Sequence, residues 1–310
     1  MAITVLFGAH PRDWPEYEAP LRAAFDEAGL AVDLATDHPP ETVDYIVYAP
    51  NSPITEFTRF TRLKAVLNLW AGVEAVVGNP TLTVPLCRMV EPGLTEGMVE
   101  WVTGMVLRHH LGIDRYIGRS DGVWEPVFPP LARDRTVGML GLGELGRASA
   151  EALVALNFRV LGWSRSPKKI AGVKCFDGSA GLRQVLAEAE ILVLLLPATA
   201  ETENSLDAEA LAQLPSRAVI INPGRGKLVD DDALLAALDS GHIAHATLDV
   251  FRREPLDPAH PYWAHPGVTV TPHVASDTRA ATSALSIAEN IRRGEAGEPF
   301  LNEVDRARGY

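Results

Sequence analysis

The sequence predicts an α/β protein built from two doubly wound parallel-sheet domains. Short apolar runs alternate with segments of helical periodicity along the chain, which is typical of βαβ units and therefore of parallel strands. A glycine-rich turn follows one of these runs at residues 141–146. The length of 310 residues is long for one compact domain and allows two hydrophobic cores.

The first ninety-odd residues are predicted to form the smaller domain, which has no glycine fingerprint. Its predicted strands span residues 3–7, 31–34, 45–49 and 65–69. Its predicted helices span residues 20–28, ended by Gly29, and roughly 55–63. A longer helix, from residue 96 to about 115, would connect this domain to the second one. An irregular segment follows at residues 118–135, and its apolar residues, Trp124 among them, suggest that it docks on another surface.

A Gly-containing turn made of Trp70, Ala71, Gly72 and Val73 follows the fourth predicted strand. Ligands in open α/β sheets bind beyond the carboxyl ends of strands, so the backbone N–H groups of this turn are candidates for binding an anion. A plain connection between a strand and a helix explains the same residues equally well.

The turn G-L-G-E-L-G lies between an apolar run and a helical pattern. Gly141 would permit the tight turn, Gly143 would let a pyrophosphate approach the backbone, and Gly146 would let the helix pack on the strand. The helical pattern runs from Arg147, and the N–H groups at the N-terminus of the helix would bind the anion, with Glu144 and Leu145 of the turn also predicted to contact the cofactor. A structural turn is the alternative for an isolated motif. A second apolar run about twenty residues later favours a Rossmann-type dinucleotide domain.

The position that distinguishes NAD from NADP holds no carboxylate. An acidic residue at the end of the second strand would accept hydrogen bonds from a ribose 2′-hydroxyl and repel a 2′-phosphate. This chain has Ser164, Arg165 and Ser166 there, with Lys168 behind them. A guanidinium binds phosphate oxygens in a forked geometry, so NADP(H) is predicted as the preferred cofactor, with NAD(H) possible. A solvated basic loop is the alternative for Lys168.

Four later strands end in polar or conformationally special residues. These strands are predicted at residues 189–196, 218–222, 246–250 and 268–271. The residues at or after their ends are Leu196, Pro197, Pro223, Gly224, Arg225, Asp249 and His273. A doubly wound sheet binds its ligands at this edge. A last amphipathic helix, residues 277–293, is predicted to return to the first domain.

Composition limits the possible partners and compartments. A net charge of −12 disfavours nucleic acid and anionic membranes as partners. The two cysteines, Cys87 and Cys175, form no disulfide framework and match no metal-ligand spacing, so no metal site is predicted. The N-terminal apolar run lacks a basic leader, and the longest apolar stretch, residues 191–196, is too short to span a bilayer. A cytoplasmic protein is expected.

Three charged or titratable side chains, Arg225, Glu254 and His273, have the residue types needed to reduce a 2-keto acid. A histidine near neutrality can donate the proton, a carboxylate beside it keeps it protonated, and an arginine can bind carboxylate and carbonyl oxygens together. Glu254 could instead be a surface turn residue before Pro255, and His273 could be a core histidine.

Five segments together resemble the D-isomer-specific 2-hydroxyacid dehydrogenase family, most closely its glyoxylate/hydroxypyruvate reductase A-type branch. They are G-L-G-E-L-G (141–146), I-N-P-G-R-G (221–226), L-D-V-F-R-R-E-P-L (248–256), T-P-H-V-A (271–275) and V-D-R-A-R-G-Y (304–310). By this resemblance Arg225 would bind the substrate, and Glu254 would orient and charge the acid/base His273. Asp249 would hold the nicotinamide carboxamide, and the turn at 71–73 would donate N–H groups to the substrate carboxylate.

The resemblance also implies a domain arrangement. A smaller, flavodoxin-like substrate domain would comprise residues 1–94 and be completed by 276–310, around a dinucleotide-binding domain of residues 95–275. A homodimer through the dinucleotide-binding domains is implied as well. The chain departs from the family at Trp70, where a small residue is usual, and at Glu74, where Asp is common. Arg279 resembles an arginine of the same branch that contacts substrate.

The predicted function is the NADPH-dependent reduction of small 2-keto acids, glyoxylate and hydroxypyruvate foremost. Trp70 would favour small substrates if its ring fills the space that a substrate side chain needs. One alternative keeps the fold but changes the substrate to a bulkier 2-keto acid, phosphite or formate. Another is a non-catalytic, dinucleotide-sensing interaction protein similar to the C-terminal-binding corepressors.

Overall fold

The protein is described by a computed structural model that covers residues 2–309. Residues 1 and 310, the ends of the predicted substrate domain, lie outside the described residues. The chain divides into two compact units. The first unit, here called the small unit, comprises the chain up to Leu94 and from Asp277 onward, and the second, the large unit, comprises Thr95–Ser276. The second division falls one residue later than the position suggested by the sequence.

The small unit contains a five-stranded sheet in which all neighbouring strands are parallel. Its strands are β1 (Ile3–Phe7), β2 (Val32–Ala35), β3 (Tyr45–Tyr48), β4 (Ala65–Asn68) and β5 (Leu86–Cys87). Their order, β2-β1-β3-β4-β5, is that of flavodoxin-like folds. Helices α1 (Trp14–Glu27) and α7 (Ala280–Ala296) add fully buried side chains such as Leu21 and Ile291 to the core of this unit.

The large unit contains a seven-stranded parallel sheet. Its strands are β6 (Thr136–Leu140), β7 (Arg159–Trp163), β8 (Val173–Phe176), β9 (Ile191–Leu194), β10 (Ala218–Asn222), β11 (Ile243–Leu248) and β12 (Val268–Val270). The order β12-β11-β10-β9-β6-β7-β8 is the Rossmann order with one added strand, so the predicted fold class of two doubly wound parallel sheets is confirmed. Near-continuous apolar runs are expected for strands buried on both faces, and β6 and β9 are buried throughout.

Helices and turns connect these strands. The remaining helices are α2 (Pro92–Leu111), α3 (Glu144–Ala155), α4 (Gly178–Glu188), α5 (Ala208–Gln213) and α6 (Asp231–Asp239). Short 3-10 helices lie at Pro11–Asp13, Pro40–Thr42, Ile113–Arg115, Ala132–Asp134, Gly226–Leu228 and Pro261–Trp263. Within residues 2–309, no helix is long and apolar enough to cross a membrane.

The predicted and observed helices differ in several places; α7, for example, begins and ends three residues later than predicted. The helix expected around residues 55–63 is wrong, because that threonine-rich stretch forms turns instead. Helix α1 begins at Trp14 rather than residue 20, since Pro15 occupies its first turn, where a missing N–H costs nothing. Helix α2 ends at Leu111, before residue 115, because Gly112 adopts a left-handed conformation with φ of 62°.

Candidate active site

The glycine-rich turn between β6 and α3 is closed toward the protein and open toward solvent. A Cβ atom on Gly141 would clash with the Leu195 carbonyl, and one on Gly146 would clash with the Gly141 carbonyl. Gly141 also has a φ of 106°, which only glycine adopts readily. Nothing lies within 4 Å of a Cβ placed on Gly143. The first N–H groups of α3, beginning at Glu144 and Leu145, have no acceptor within the helix and lie beside this open space.

The segment after β7 carries the residues predicted to recognise the adenosine ribose. Ser164 is 8% exposed, and its hydroxyl donates to the Ser166 carbonyl at 2.6 Å, which shapes the turn. Its predicted contact with a phosphate stays a prediction. Arg165, Ser166 and Lys168 are exposed. The Arg165 guanidinium lies 3.3 Å from the carboxylate of Glu201, a residue in the segment after β9.

The segment after β9 lies beside the glycine-rich turn. Leu196 is buried and Pro197 is partly exposed. The Thr202 hydroxyl donates to the Pro197 carbonyl at 2.6 Å, which fixes the turn that also carries Glu201. The first residues after β6 and β9 therefore lie together where the strand order reverses, the usual ligand site of such sheets.

The segment after β10 is shaped by Asn222, the last residue of that strand and 1% exposed. Its amide nitrogen donates to the Arg225 carbonyl at 3.0 Å, and its amide oxygen accepts from the Gly224 N–H at 3.1 Å. Pro223 and Gly224 are buried, and a Cβ on Gly224 would lie 2.7 Å from the Leu194 carbonyl oxygen. Asn222 thus positions Arg225. Asn222 is not among the site residues predicted from the sequence, although an Asn two residues before a Gly is a recognised turn signal.

Asp249, directly after β11, organises the turn that carries His273. Its carboxylate is fully buried and accepts hydrogen bonds from the Thr271 hydroxyl at 2.6 Å, the Val274 N–H at 2.9 Å and the Ala275 N–H at 2.9 Å. Its carbonyl accepts from the His273 N–H at 2.8 Å. These contacts make Asp249 a positioning residue for His273. Its predicted contact with a nicotinamide carboxamide stays a prediction.

His273 and Glu254 form a hydrogen-bonded pair. The His273 Nδ1 lies 2.7 Å from the Glu254 Oε2, and the other carboxylate oxygen accepts from the Phe251 N–H at 2.9 Å. About half of the His273 side chain is exposed, at 52%. His273 also has a φ of 54°, a left-handed conformation that is uncommon for non-glycine residues.

The electrostatics of this pair favour an ionised carboxylate and a protonated imidazole. The hydrogen bond with Glu254 raises the pKa of His273; burial and the Arg225 charge lower it, while the charges of Glu254 and Asp249 add to the rise. Burial opposes ionisation of Glu254, but the hydrogen bonds from His273 and Phe251 and the charges of His273 and Arg225 outweigh it and lower its pKa. Because Arg225 acts on both groups, the large unit brings the three predicted catalytic residues into one electrostatic cluster.

The small unit carries the other predicted substrate residues. Trp70 is 43% exposed, Ala71 and Gly72 are partly exposed, and Val73 is buried. The helix predicted to follow this turn is replaced by turns at residues 74–78. Arg279 is exposed at the start of α7, and its N–H lies 3.4 Å from a carboxylate oxygen of the buried Glu91.

Solved structures similar to this chain share its whole length. A D-isomer specific 2-hydroxyacid dehydrogenase from Xanthobacter autotrophicus Py2, in complex with NADPH and MES, is 44% identical, with 100% of this chain and 99% of that chain covered and a TM-score of 0.92. The NADPH-dependent glyoxylate/hydroxypyruvate reductase of Sinorhizobium meliloti, in complex with NADP and sulfate, is 37% identical, with coverage of 100% and 99% and a TM-score of 0.87.

A third structure, a probable 2-hydroxyacid dehydrogenase from Rhizobium etli CFN 42 in complex with NADP, HEPES and L(+)-tartaric acid, is 31% identical, with coverage of 100% and 99% and a TM-score of 0.86. The family model described as the NAD binding domain of D-isomer specific 2-hydroxyacid dehydrogenases matches residues 103–275, more than half of the chain. The chain therefore belongs to the D-isomer specific 2-hydroxyacid dehydrogenases, which are NAD(P)-dependent enzymes.

Proposed function

We propose that this enzyme reduces small 2-keto acids, glyoxylate and hydroxypyruvate foremost, to 2-hydroxy acids, with NADPH as its preferred reductant. The observation that carries the proposal is the 2.7 Å pair of His273 and Glu254, on which Arg225 also acts. A charged imidazole beside a guanidinium suits an anionic substrate whose carbonyl oxygen gains a proton.

Each of these side chains has a separate role in the proposed reaction. Glu254 accepts the Nδ1 proton of His273, which fixes the ring and leaves Nε2 as the proton donor to the forming alkoxide. Arg225 binds the substrate carboxylate and polarises its carbonyl. A nicotinamide, when bound, supplies the hydride. Asp249 and Asn222 keep His273 and Arg225 in position through the turns that carry them.

The large unit fits a dinucleotide in this role. The space beside Gly143 and the N–H groups at the start of α3 would take the pyrophosphate, because Gly141 and Gly146 already pack against protein backbone. Leu196, Pro197, Pro223 and Gly224 would border the cofactor at the neighbouring strand ends. Arg165, Ser166 and Lys168 would take the 2′-phosphate of NADP(H).

Two observations support a preference for small substrates. The Sinorhizobium meliloti relative is a glyoxylate/hydroxypyruvate reductase. In this chain the bulky Trp70 precedes the turn whose N–H groups we propose to bind the substrate carboxylate, and Arg279 would add a cation. An indole that fills the side-chain space would reject larger keto acids by about 1–3 kcal/mol for each methylene.

A panel of keto acids assayed with NADPH and with NADH tests the function. The proposal requires that kcat/KM for glyoxylate and hydroxypyruvate exceed that for phenylpyruvate by more than about tenfold. In Trp70→Ala, the ratio of these kcat/KM values should be smaller. If the parent enzyme prefers phenylpyruvate and Trp70→Ala damages that activity most, Trp70 is an anchor for a large substrate and the assignment of substrate class is wrong.

We further propose that the enzyme is a homodimer through its dinucleotide-binding unit. The segment at residues 116–131, here called the arm, exposes large apolar side chains. The most exposed are Ile117 (68% exposed), Val123 (56%), Trp124 (95%), Phe128 (86%) and Leu131 (60%), and Tyr116 and Val127 are exposed to a smaller extent. Several exposed large apolar side chains within one short segment indicate an interaction site. A second copy of the chain is the partner that the family resemblance implies.

A further inference from the structure

The loop from Leu69 to Val73 has a polarised backbone. Its carbonyl groups accept hydrogen bonds from the small unit: that of Leu69 from the Thr278 hydroxyl at 2.8 Å and that of Trp70 from the Met89 N–H at 3.0 Å. By contrast, no acceptor within residues 2–309 bonds the N–H groups of Ala71, Gly72 or Val73. The Leu69 and Trp70 carbonyls therefore bond other parts of the small unit, whereas the N–H groups of residues 71–73 remain available to a ligand.

One side chain, that of Asn68, holds two of these carbonyls. Asn68 is the last residue of β4 and is 1% exposed. Its Nδ2 donates to the Trp70 carbonyl at 2.7 Å and to the Gly72 carbonyl at 2.9 Å. Since an amide nitrogen has two hydrogens, both donors are used, and the carbonyls on either side of Ala71 are bound to one atom.

The amide oxygen of Asn68 does not explain why an asparagine occupies this position. Its Oδ1 is buried, and no donor within residues 2–309 bonds it. A buried polar atom without a protein partner opposes folding, so an apolar side chain of similar size would serve packing better. Asn68 lines a cavity of about 40 Å³, which has room for a water molecule. The amide is therefore explained by its two donors.

We propose that Asn68 is a positioning residue for substrate binding, which keeps the Trp70 and Gly72 carbonyls away from the ligand so that the N–H groups between them meet the substrate carboxylate. Without Nδ2, the Gly72 carbonyl loses its hydrogen bond and is free to rotate toward the anion and repel it, while the Trp70 carbonyl keeps only its bond from the Met89 N–H. This inference rests on the proposed function, because the ligand of the loop is the carboxylate of the 2-keto acid.

The test compares Asn68→Leu with Asn290→Leu. Asn290 is a matched control in the same unit: it is 5% exposed, lines the same cavity and bonds the backbone of Leu301 through both amide atoms. For Asn68→Leu we expect KM for glyoxylate to rise about tenfold or more, from two lost hydrogen bonds, with kcat within about threefold and NADPH affinity unchanged. Binding of oxamate, a carboxylate that is not reduced, should weaken by the same factor in the presence of NADPH. Asn290→Leu should leave both values within about twofold of the parent.

A second variant keeps the inference testable if Asn68→Leu does not fold. Thr278→Val removes the hydroxyl that holds the Leu69 carbonyl and should raise KM for glyoxylate by a smaller factor, about threefold, with kcat unchanged. Equal KM and oxamate affinity in Asn68→Leu and Asn290→Leu would overturn the role of Asn68, as would an unchanged KM in Thr278→Val. A parent enzyme that does not reduce glyoxylate would instead refute the proposed function.

Discussion

At the scale of single residues, the site is held by buried polar side chains that do not themselves face solvent. His273 has a φ of 54°, and a non-glycine residue in that region costs about 1–3 kcal/mol. Asp249 offsets this cost through the hydrogen bonds that its carbonyl and carboxylate accept from the turn. The imidazole is therefore pre-oriented toward Glu254 before any substrate binds.

Cofactor choice depends on Arg165 in this account. We expect Arg165→Ala to reduce the NADPH preference by about one to two decades in kcat/KM, because a hydrogen bond to a charged group contributes roughly 1.5–3 kcal/mol. The measurement is kcat/KM with NADPH and with NADH. Equal efficiency with both cofactors in the parent would contradict the assignment, and an equal loss with both in the variant would indicate a folding defect.

The carboxylate of Glu201, 3.3 Å from Arg165, competes with a 2′-phosphate for that guanidinium. We expect Glu201→Gln to tighten NADPH binding by a few-fold, since an exposed ion pair contributes less than about 1 kcal/mol, and to leave NADH binding unchanged. Glu203→Gln is the control, because Glu203 pairs with Arg252 at 3.4 Å instead and the change in net charge is the same. Fluorescence titration of both variants with both cofactors gives the comparison. Identical NADPH affinities in the two variants would show that only net charge matters.

At the scale of elements, the strands were more predictable than the helices. Strands buried on both faces are continuous apolar runs, so β6 and β10 were recognisable from composition alone. Helix limits depend on conformations that the pattern of apolar residues does not encode, such as the left-handed Gly112 that ends α2. Two strands were not predicted: β5 has two residues and carries no periodicity, and β8 contains a lysine and is only partly buried.

In the candidate site, the residue types could be predicted from the sequence, whereas the contacts between them could not. Arg225, Glu254 and His273 were identifiable because their chemistry is distinctive and they follow apolar strands. The donors bound by Asp249 belong to Thr271, Val274 and Ala275, which are distant from Asp249 in sequence, and a sequence does not display such contacts. Asn222 carried a local turn signal that was overlooked.

Substitutions in the glycine-rich turn distinguish effects on folding stability from effects on cofactor binding. A methyl group on Gly143 meets no protein atom within 4 Å and Gly143 has a φ of −72°, whereas one on Gly146 meets the Gly141 carbonyl. We expect Gly143→Ala to keep the parent Tm and to weaken NADPH binding by about tenfold or more, because the methyl occupies the pyrophosphate space. Gly146→Ala should lower both Tm and binding. Unchanged NADPH affinity in Gly143→Ala would exclude the turn as the pyrophosphate site.

At the scale of the whole molecule, the exposed arm predicts assembly. Replacing Trp124 and Phe128 together by serine should shift the mass measured by light scattering from dimer toward monomer, because buried aromatic anchors contribute about 2 kcal/mol or more each. Trp263→Ser is the control, since Trp263 belongs to the same unit and is 51% exposed outside the arm. A parent protein that is monomeric at micromolar concentration would contradict the dimer, as would an unaffected dimer in the double variant.

We propose that His273, charged by Glu254, donates the proton during reduction of a 2-keto acid. The raised pKa of His273 means that the protonated acid persists to higher pH than for a free histidine. Reduction needs this protonated form, so its rate falls as pH rises through the raised pKa. Oxidation of the 2-hydroxy acid needs the neutral ring, so its rate rises through the same value.

The most direct test is kcat/KM for glyoxylate reduction with NADPH against pH, measured in the parent and in Glu254→Gln. The account predicts that the fall at high pH moves to lower pH in Glu254→Gln, because the charge and hydrogen bond that raise the pKa of His273 are weakened. His273→Asn should have a strongly reduced kcat, and its kcat/KM should not show this fall at high pH. If kcat/KM falls at the same pH in the parent and in Glu254→Gln, Glu254 has no role in the mechanism and the proposed proton donor pair is wrong.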